Sequence, residues 1–133
     1  MHCSTIGVLL LLWHSLATVV LGANCDVKAA EKANGCTTFG VDVPFQNRFT
    51  PSCNLHDICY FCGARFSVSR LTCDKDMRSN MKSSCSGLSL IEKWACKGSA
   101  DTYYGVVRVA GGIFYRSSSP SWCGESWVTS CLP

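Results

Sequence analysis

The stretch CNLHDICYFC, residues 53–62, decides how this chain is read. It sets His56 and Asp57 side by side and fences them with Cys53, Cys59 and Cys62. Just upstream, Thr50 is a candidate cap, and Pro51 suits a first helical position because its missing N–H would have no partner there anyway. The stretch therefore reads as the first turns of a helix that runs to about Cys62 and closes at Gly63. Consecutive residues on a helix project about 100° apart. His56 and Asp57 thus serve neighbouring but distinct directions. A carboxylate that points into a loop rich in backbone carbonyls makes a hard-oxygen site suited to calcium. An imidazole beside it can act on water, provided a partner holds one ring nitrogen and so fixes the tautomer.

That partner is expected from a second element. A helix is predicted from Ser69 to about Ser84, because Cys73, Met77, Met81 and Cys85 recur every fourth residue as one stripe, and Gly87 is a good terminator. Asp74, directly after Cys73, is the best candidate. Asp76 is its rival but projects about 160° from the stripe. A bridge between Cys59 and Cys73 would lie one residue from Asp74 and three from His56, and would hold the pair in register. Met77 and Met81 read as core filling. The plain alternative is a surface or core histidine, with Asp57 an ion-pair partner for Arg65 or Lys75.

The N-terminal segment carries a different message. Residues 1–22 contain no Asp, Glu, Lys or Arg, and the apolar runs Ile6–Trp13 and Leu16–Leu21 are followed by small Gly22 and Ala23. This is the pattern of a secretory signal peptide cleaved after Gly22 or Ala23. The other reading, a membrane anchor, is weaker, because the continuous apolar core is short of the ~20 residues a span needs. One domain, residues 23–133, remains. Cys3 leaves with the leader, and ten of the eleven cysteines stay. An even count in an exported chain implies a disulfide framework. Ten cysteines allow about 945 pairings, so the connectivity is not legible. The CxxC of CYFC beside His56 raises zinc as an alternative, which an oxidising compartment disfavours. The cross-links offset a small core. A net charge of +3 is too weak to argue for nucleic acid and fits a mild preference for anionic surfaces.

Elsewhere, NCDVKAAEKANGC reads as a short helix capped by Asn24 or Asp26 and ended by Asn34-Gly35. CTTFGVDVPFQNRF is a loop of the length that usually has a task. LSLIEKWACKG predicts a short helix ending at Gly98, after which Ser99 caps ADTYYGVVRVAGGIFY at helical spacing, with a strand left open for Val106–Val109. The Ser-, Gly- and Pro-rich tail is held by Cys123 and Cys131. Trp94, Trp122 and Trp127 read either as a lipid-contacting rim or as packing beneath the disulfides.

CNLHDICY resembles the C-x-x-H-D-x-C-Y active-site helix of secreted phospholipases A2, with Cys53, Cys59 and Tyr60 all matching. CDKDM is similar to the start of the second catalytic helix in that superfamily, and Asp74–Met77–Asn80–Met81–Cys85 resembles the corresponding helix of the small bacterial and fungal enzymes, with Asn80 in place of an acid. FTPSCNLHDICYFCG, the preceding Cys36–Pro44 loop and the late Cys123 and Cys131 are most similar to conodipines, the group IX phospholipases A2 of cone-snail venom. The resemblance implies a mostly α, small disulfide-rich fold with two antiparallel catalytic helices. It implies a secreted, calcium-dependent venom enzyme that hydrolyses the sn-2 acyl ester of glycerophospholipids in a membrane or aggregate. His56 would be the general base, Asp74 would orient its imidazole, and Tyr60 would buttress Asp74. Asp57 would bind Ca²⁺. The familiar glycine-rich calcium loop is absent, so further ligands would come from Asn34–Pro44, with Asn34, Gly35 and Asp42 as candidates beside the Thr37 carbonyl. The resemblance also implies processing into two disulfide-linked chains. No Lys-Arg or Arg-Arg pair marks a cut, which would fall between Lys97 and Arg116. The main alternative function is a venom binding module that keeps the scaffold but acts on a receptor or channel. His56, Asp57 and Asp74 together favour the enzyme.

Overall fold

A computed structural model describes residues 25–37 and 43–133; the expected leader, residues 1–22, and Asp42 lie outside the described residues. Residues 25–32 form a first helix, α1. It is followed by α2 (Gln46–Cys62), α3 (Arg70–Ser84) and α4 (Leu90–Ala110), with single 3₁₀ turns after α2 and α4 and two more in the tail. Among the described residues there is no strand, so the expected mostly helical fold is what the chain adopts.

α3 begins as its sequence predicts. The Ser69 hydroxyl accepts the Thr72 N–H at 3.1 Å, and Gly87, at φ +78°, turns the chain away beyond its end.

α2 does not begin as predicted. It starts at Gln46, so Pro51 lies inside it and has no N–H to offer the Asn47 carbonyl. Thr50, expected as the cap, instead bonds back to the Gln46 carbonyl at 3.1 Å. No side chain caps this end, and Phe45 enters it at φ 65°. Phe49, fully buried in the first turn, is what holds the extra residues helical. Most helical stability in proteins comes from such packing rather than from local signals.

α4 is likewise a correction. The two predicted pieces are one helix of 21 residues. Its true start is a capping box, with the Ser89 side chain on the Glu92 N–H and the Glu92 side chain on the Ser89 N–H. Ser99 caps nothing; its hydroxyl bonds the Ala95 carbonyl at 3.1 Å. Gly98, read as a stop, passes through the helix, and Val106–Val109 are helical rather than extended. A mid-helix glycine costs about 1 kcal/mol against alanine. The burial of Cys96, Ala100 and Tyr103 outweighs that cost.

α2 and α3 run antiparallel. Cys59 bonds Cys73, His56 meets Asp74, and Arg48 reaches the Ser84 carbonyl, so each step back along α2 is a step forward along α3. One core lies between α2, α3 and α4, around Phe49, Met77, Met81, Ala100 and Tyr103, with the Cys85–Cys96 bridge beneath it. A second gathers α1 and the tail against the opposite side of α2 through Ala29, Ile58, Trp127 and Val128. Cys25–Cys131 and Cys62–Cys123 staple that side, and Cys36–Cys53 ties the residue 34–37 segment to α2. The ten cysteines among the described residues are all consumed in five bridges, so none of these is a thiolate for zinc. Trp122 and Trp127 stack at 5.9 Å in the second core, whereas Trp94 stands 83% exposed on α4. The packing reading holds for the first two tryptophans only.

Candidate active site

The stapled crossing of α2 and α3 fixes what lies next to it. His56 sits one helical turn before Cys59, and Asp74 follows Cys73, so closing that bridge brings imidazole and carboxylate together. His56 Nε2 lies 2.7 Å from Asp74 Oδ1. Tyr60, one turn further along α2, donates its hydroxyl to the same oxygen at 2.7 Å. The other oxygen, Oδ2, takes Arg108 Nη1 from α4 at 2.6 Å. Asp74 is fully buried, His56 and Tyr60 nearly so.

A buried carboxylate must be either paired or protonated. Burial by itself pushes Asp74 upward, but the hydrogen bonds from His56, Tyr60 and Arg108 outweigh it and hold the carboxyl below its usual range. An ionised Asp74 requires the proton of the imidazole to sit on Nε2. This leaves Nδ1 as the basic nitrogen of His56, which has no protein partner among the described residues. Burial, then the bond to Asp74, pushes the Tyr60 phenol up, so it stays a donor.

His56 opens onto a cavity of about 670 Å³. Asp57, Asn34, Gly35 and Thr37 line one side, and Val106, Val107, Ala110, Ile113 and Phe114 the other. Tyr103 also lines it, and its buried hydroxyl has no partner among the described residues.

Asp57 makes no ion pair among the described residues, with Arg65 and Lys75 included. Its Oδ2 accepts one long hydrogen bond, 3.3 Å from the Asn34 N–H, while the Gly35 N–H is held by Asn54 Oδ1 at 3.0 Å. Gly35 adopts φ +72°, a conformation that favours glycine. Burial raises the Asp57 carboxyl, and the Asn34 N–H and nearby His56 only partly oppose this. A poorly compensated carboxylate of this kind is one that a hard cation would satisfy. No group of three His, Cys, Asp or Glu side chains that could hold a metal ion gathers among the described residues, so any cation at Asp57 would draw its other ligands from backbone or amide oxygens. The structure thus brings together His56, Asp74 and Tyr60, and sets Asn34 and Gly35 beside Asp57; Asp42 is outside the described residues. Asp76 turns away to Asn80 at 2.9 Å.

Sequence reasoning did not find Arg108. Its signal was a lone cation in the apolar run GVVRVAGG, yet its partner is 34 residues away. Gly111 was missed for the same reason. It follows α4 directly, and a Cβ there would stand 2.6 Å from the Tyr60 hydroxyl.

A helical, disulfide-stapled chain with a His–Asp pair facing a cavity is phospholipase A2-like, and the comparisons agree. The model of the prokaryotic phospholipase A2 family matches residues 23–111, and the chain belongs to that family. Among individual proteins it is similar to Conodipine-P3 of Conus purpurascens, 35% identical over 71 residues, or 53% of this chain and 39% of that protein. Conodipine-P2 and Conodipine-P1 of the same snail are 34% identical over the same length and shares. The match thus spans about two-fifths of the length of these curated relatives. No solved structure matches.

Proposed function

We propose that this chain is a secreted, calcium-dependent phospholipase A2 of venom that hydrolyses the sn-2 acyl ester of glycerophospholipids. The observation that carries the reading is the 2.7 Å contact between Nε2 of His56, which lines the cavity, and a fully buried Asp74 carboxylate behind it. His56 Nδ1 takes a proton from water as its oxygen attacks the ester carbonyl, and Asp74 stabilises the imidazolium that forms. The proton then passes from His56 to the departing alcohol oxygen, which leaves fatty acid and lysophospholipid. Tyr60 and Asp74 keep the ring from turning. Calcium, held by Asp57 with oxygens of Asn34, Gly35 and Asp42, would supply positive charge toward the ester oxyanion and the phosphate.

The rim of the cavity supports a lipid aggregate as substrate. Val106, Ile113 and Phe114 line it and are exposed, and Val109, one turn beyond Val106 on α4, is 90% exposed. Clusters of exposed large apolar side chains are a feature of interaction sites. Five disulfides support export, and no helix among the described residues is long and apolar enough to cross a membrane. A cut between the end of α4 and Arg116 would leave the tail tied to the rest through Cys25–Cys131 and Cys62–Cys123.

The test is fatty-acid release from phosphatidylcholine vesicles, with calcium and with chelator. Release is expected with calcium alone. His56→Gln is expected to abolish release while its circular dichroism stays that of the parent. Turnover that survives chelation, or survives in His56→Gln, refutes the mechanism.

A further inference from the structure

We propose that Arg108 is a positioning residue of the catalytic centre, which locks the rotation of Asp74 so that a single carboxylate oxygen serves His56. The inference rests on the hydrolase reading above and deepens it. Asp74 has two chemically equivalent oxygens, and a carboxylate can turn about its last bond. The structure makes those oxygens unequal. Oδ1 receives both His56 and Tyr60, while Oδ2 receives Arg108 alone, at 2.6 Å. Asp74 is fully buried, so without Arg108 the second oxygen would have no partner among the described residues. A turn of the carboxylate would then trade one unsatisfied oxygen for the other, and the imidazole would lose its fixed acceptor.

Arg108 is itself held. The end of α4 is tied to α3 by Arg70, whose Nη1 donates to the carbonyls of Val107 and Arg108 at 3.2 and 3.3 Å. Three helices therefore converge on one carboxylate: α2 brings His56 and Tyr60, α3 carries Asp74, and α4 delivers the guanidinium. The α4 turn that carries Arg108 also presents Val106 and Val107 to the cavity. A planar guanidinium suits this task, since it stays charged at any accessible pH and its donors are rigidly spaced. Arg108 is about one-third exposed, so a small solute can reach the space its side chain would leave.

The experiment uses the oxidised full chain and phosphatidylcholine vesicles in calcium, with wild type and His56→Gln run alongside. The whole general-base contribution is worth roughly 10²–10⁴-fold in rate. Loss of orientation, with the base retained, predicts a fall in kcat of about 10- to 100-fold for Arg108→Gln, with KM within about twofold, as for any group that acts only on the chemical step. Arg108→Lys is expected to recover most of the loss. Millimolar guanidinium is expected to raise kcat of Arg108→Ala and to leave His56→Gln dead. In an Asp74→Asn background, Arg108→Gln is expected to cost nothing further, because the two act as one unit.

Wild-type kcat in a folded Arg108→Gln, or a loss that adds in full to that of Asp74→Asn, overturns the proposal. If Arg108→Gln fails to fold, guanidinium rescue of Arg108→Ala decides: a rise in kcat at unchanged KM supports the proposal, and no rise overturns it. A wild-type chain that releases no fatty acid sinks the hydrolase reading instead, and is distinguishable from every one of these outcomes.

Discussion

Replacing Gly111 with alanine adds one methyl group outside the reacting centre, and the structure says what it strikes. A Cβ on Gly111 would lie 2.6 Å from the Tyr60 hydroxyl and 3.4 Å from two of its ring carbons. Gly111 sits at φ −72°, where alanine is comfortable, so the backbone alone would favour the change by about 0.4–1 kcal/mol. The collision decides the sign. Tyr60 is 5% exposed and cannot swing away, so it must tilt, and the hydroxyl leaves the Asp74 carboxylate. A hydrogen bond to a charged group is worth about 1.5–3 kcal/mol. The net cost is therefore about 1–2 kcal/mol, or roughly 5 °C in Tm for a domain of this size. The check is thermal unfolding and kcat of Gly111→Ala in two backgrounds. With Tyr60→Phe there is no hydroxyl to strike, and the ring carbons at 3.4 Å are in ordinary contact. The same alanine should then be neutral or slightly stabilising. An equal penalty in both backgrounds would refute the reasoning, because the cost would not come from the hydroxyl.

Other perturbations test other parts of the site. Asp57→Asn removes a carboxylate that burial has raised, so the variant should melt higher than wild type in chelator. Calcium at 100 times its Kd should stabilise wild type by about 2.7 kcal/mol and the variant not at all, as read by calorimetry. Asp74 has a folded value held below its ordinary 3.8. Its share of stability is thus full above the unfolded value and is lost as pH falls through the lower folded one, and Asp74→Asn should flatten acid unfolding below about pH 4. Replacing both Cys59 and Cys73 by alanine opens a loop of sequence separation 14, at about 3 kcal/mol by denaturant titration. Its kcat should fall even where the variant is fully folded. Val109→Glu on the exposed face of α4 should weaken binding to phosphatidylcholine vesicles by sedimentation, with hydrolysis of a dispersed short-chain substrate unchanged.

The legible parts of this molecule were those in which one local pattern constrained another. His56–Asp74 could be read because the fourfold spacing of Cys73, Met77, Met81 and Cys85 fixed a helix face, and Cys59 lay one turn from His56. The start of α2 was misread because Thr50 and Pro51 are strong local signals, and the burial of Phe49 that overrides them is tertiary. α4 was split because Gly98 is a terminator by habit, while the Cys85–Cys96 bridge and Ala100, which carry the helix past it, draw on partners from other elements. Arg108 and Gly111 stayed hidden for a related reason. Each has meaning only against a residue on another helix, and no periodicity within α4 announces it.

The Cys59–Cys73 bridge links the register of His56 and Asp74 to the redox state of the chain. The two residues that would carry out hydrolysis are brought into register by a bond that a reducing cytosol does not allow. A chain kept reduced there lacks the covalent tie between the helices that carry the imidazole and the carboxylate. Under the proposed function, oxidation of Cys59 and Cys73 would then also be the step that completes the site.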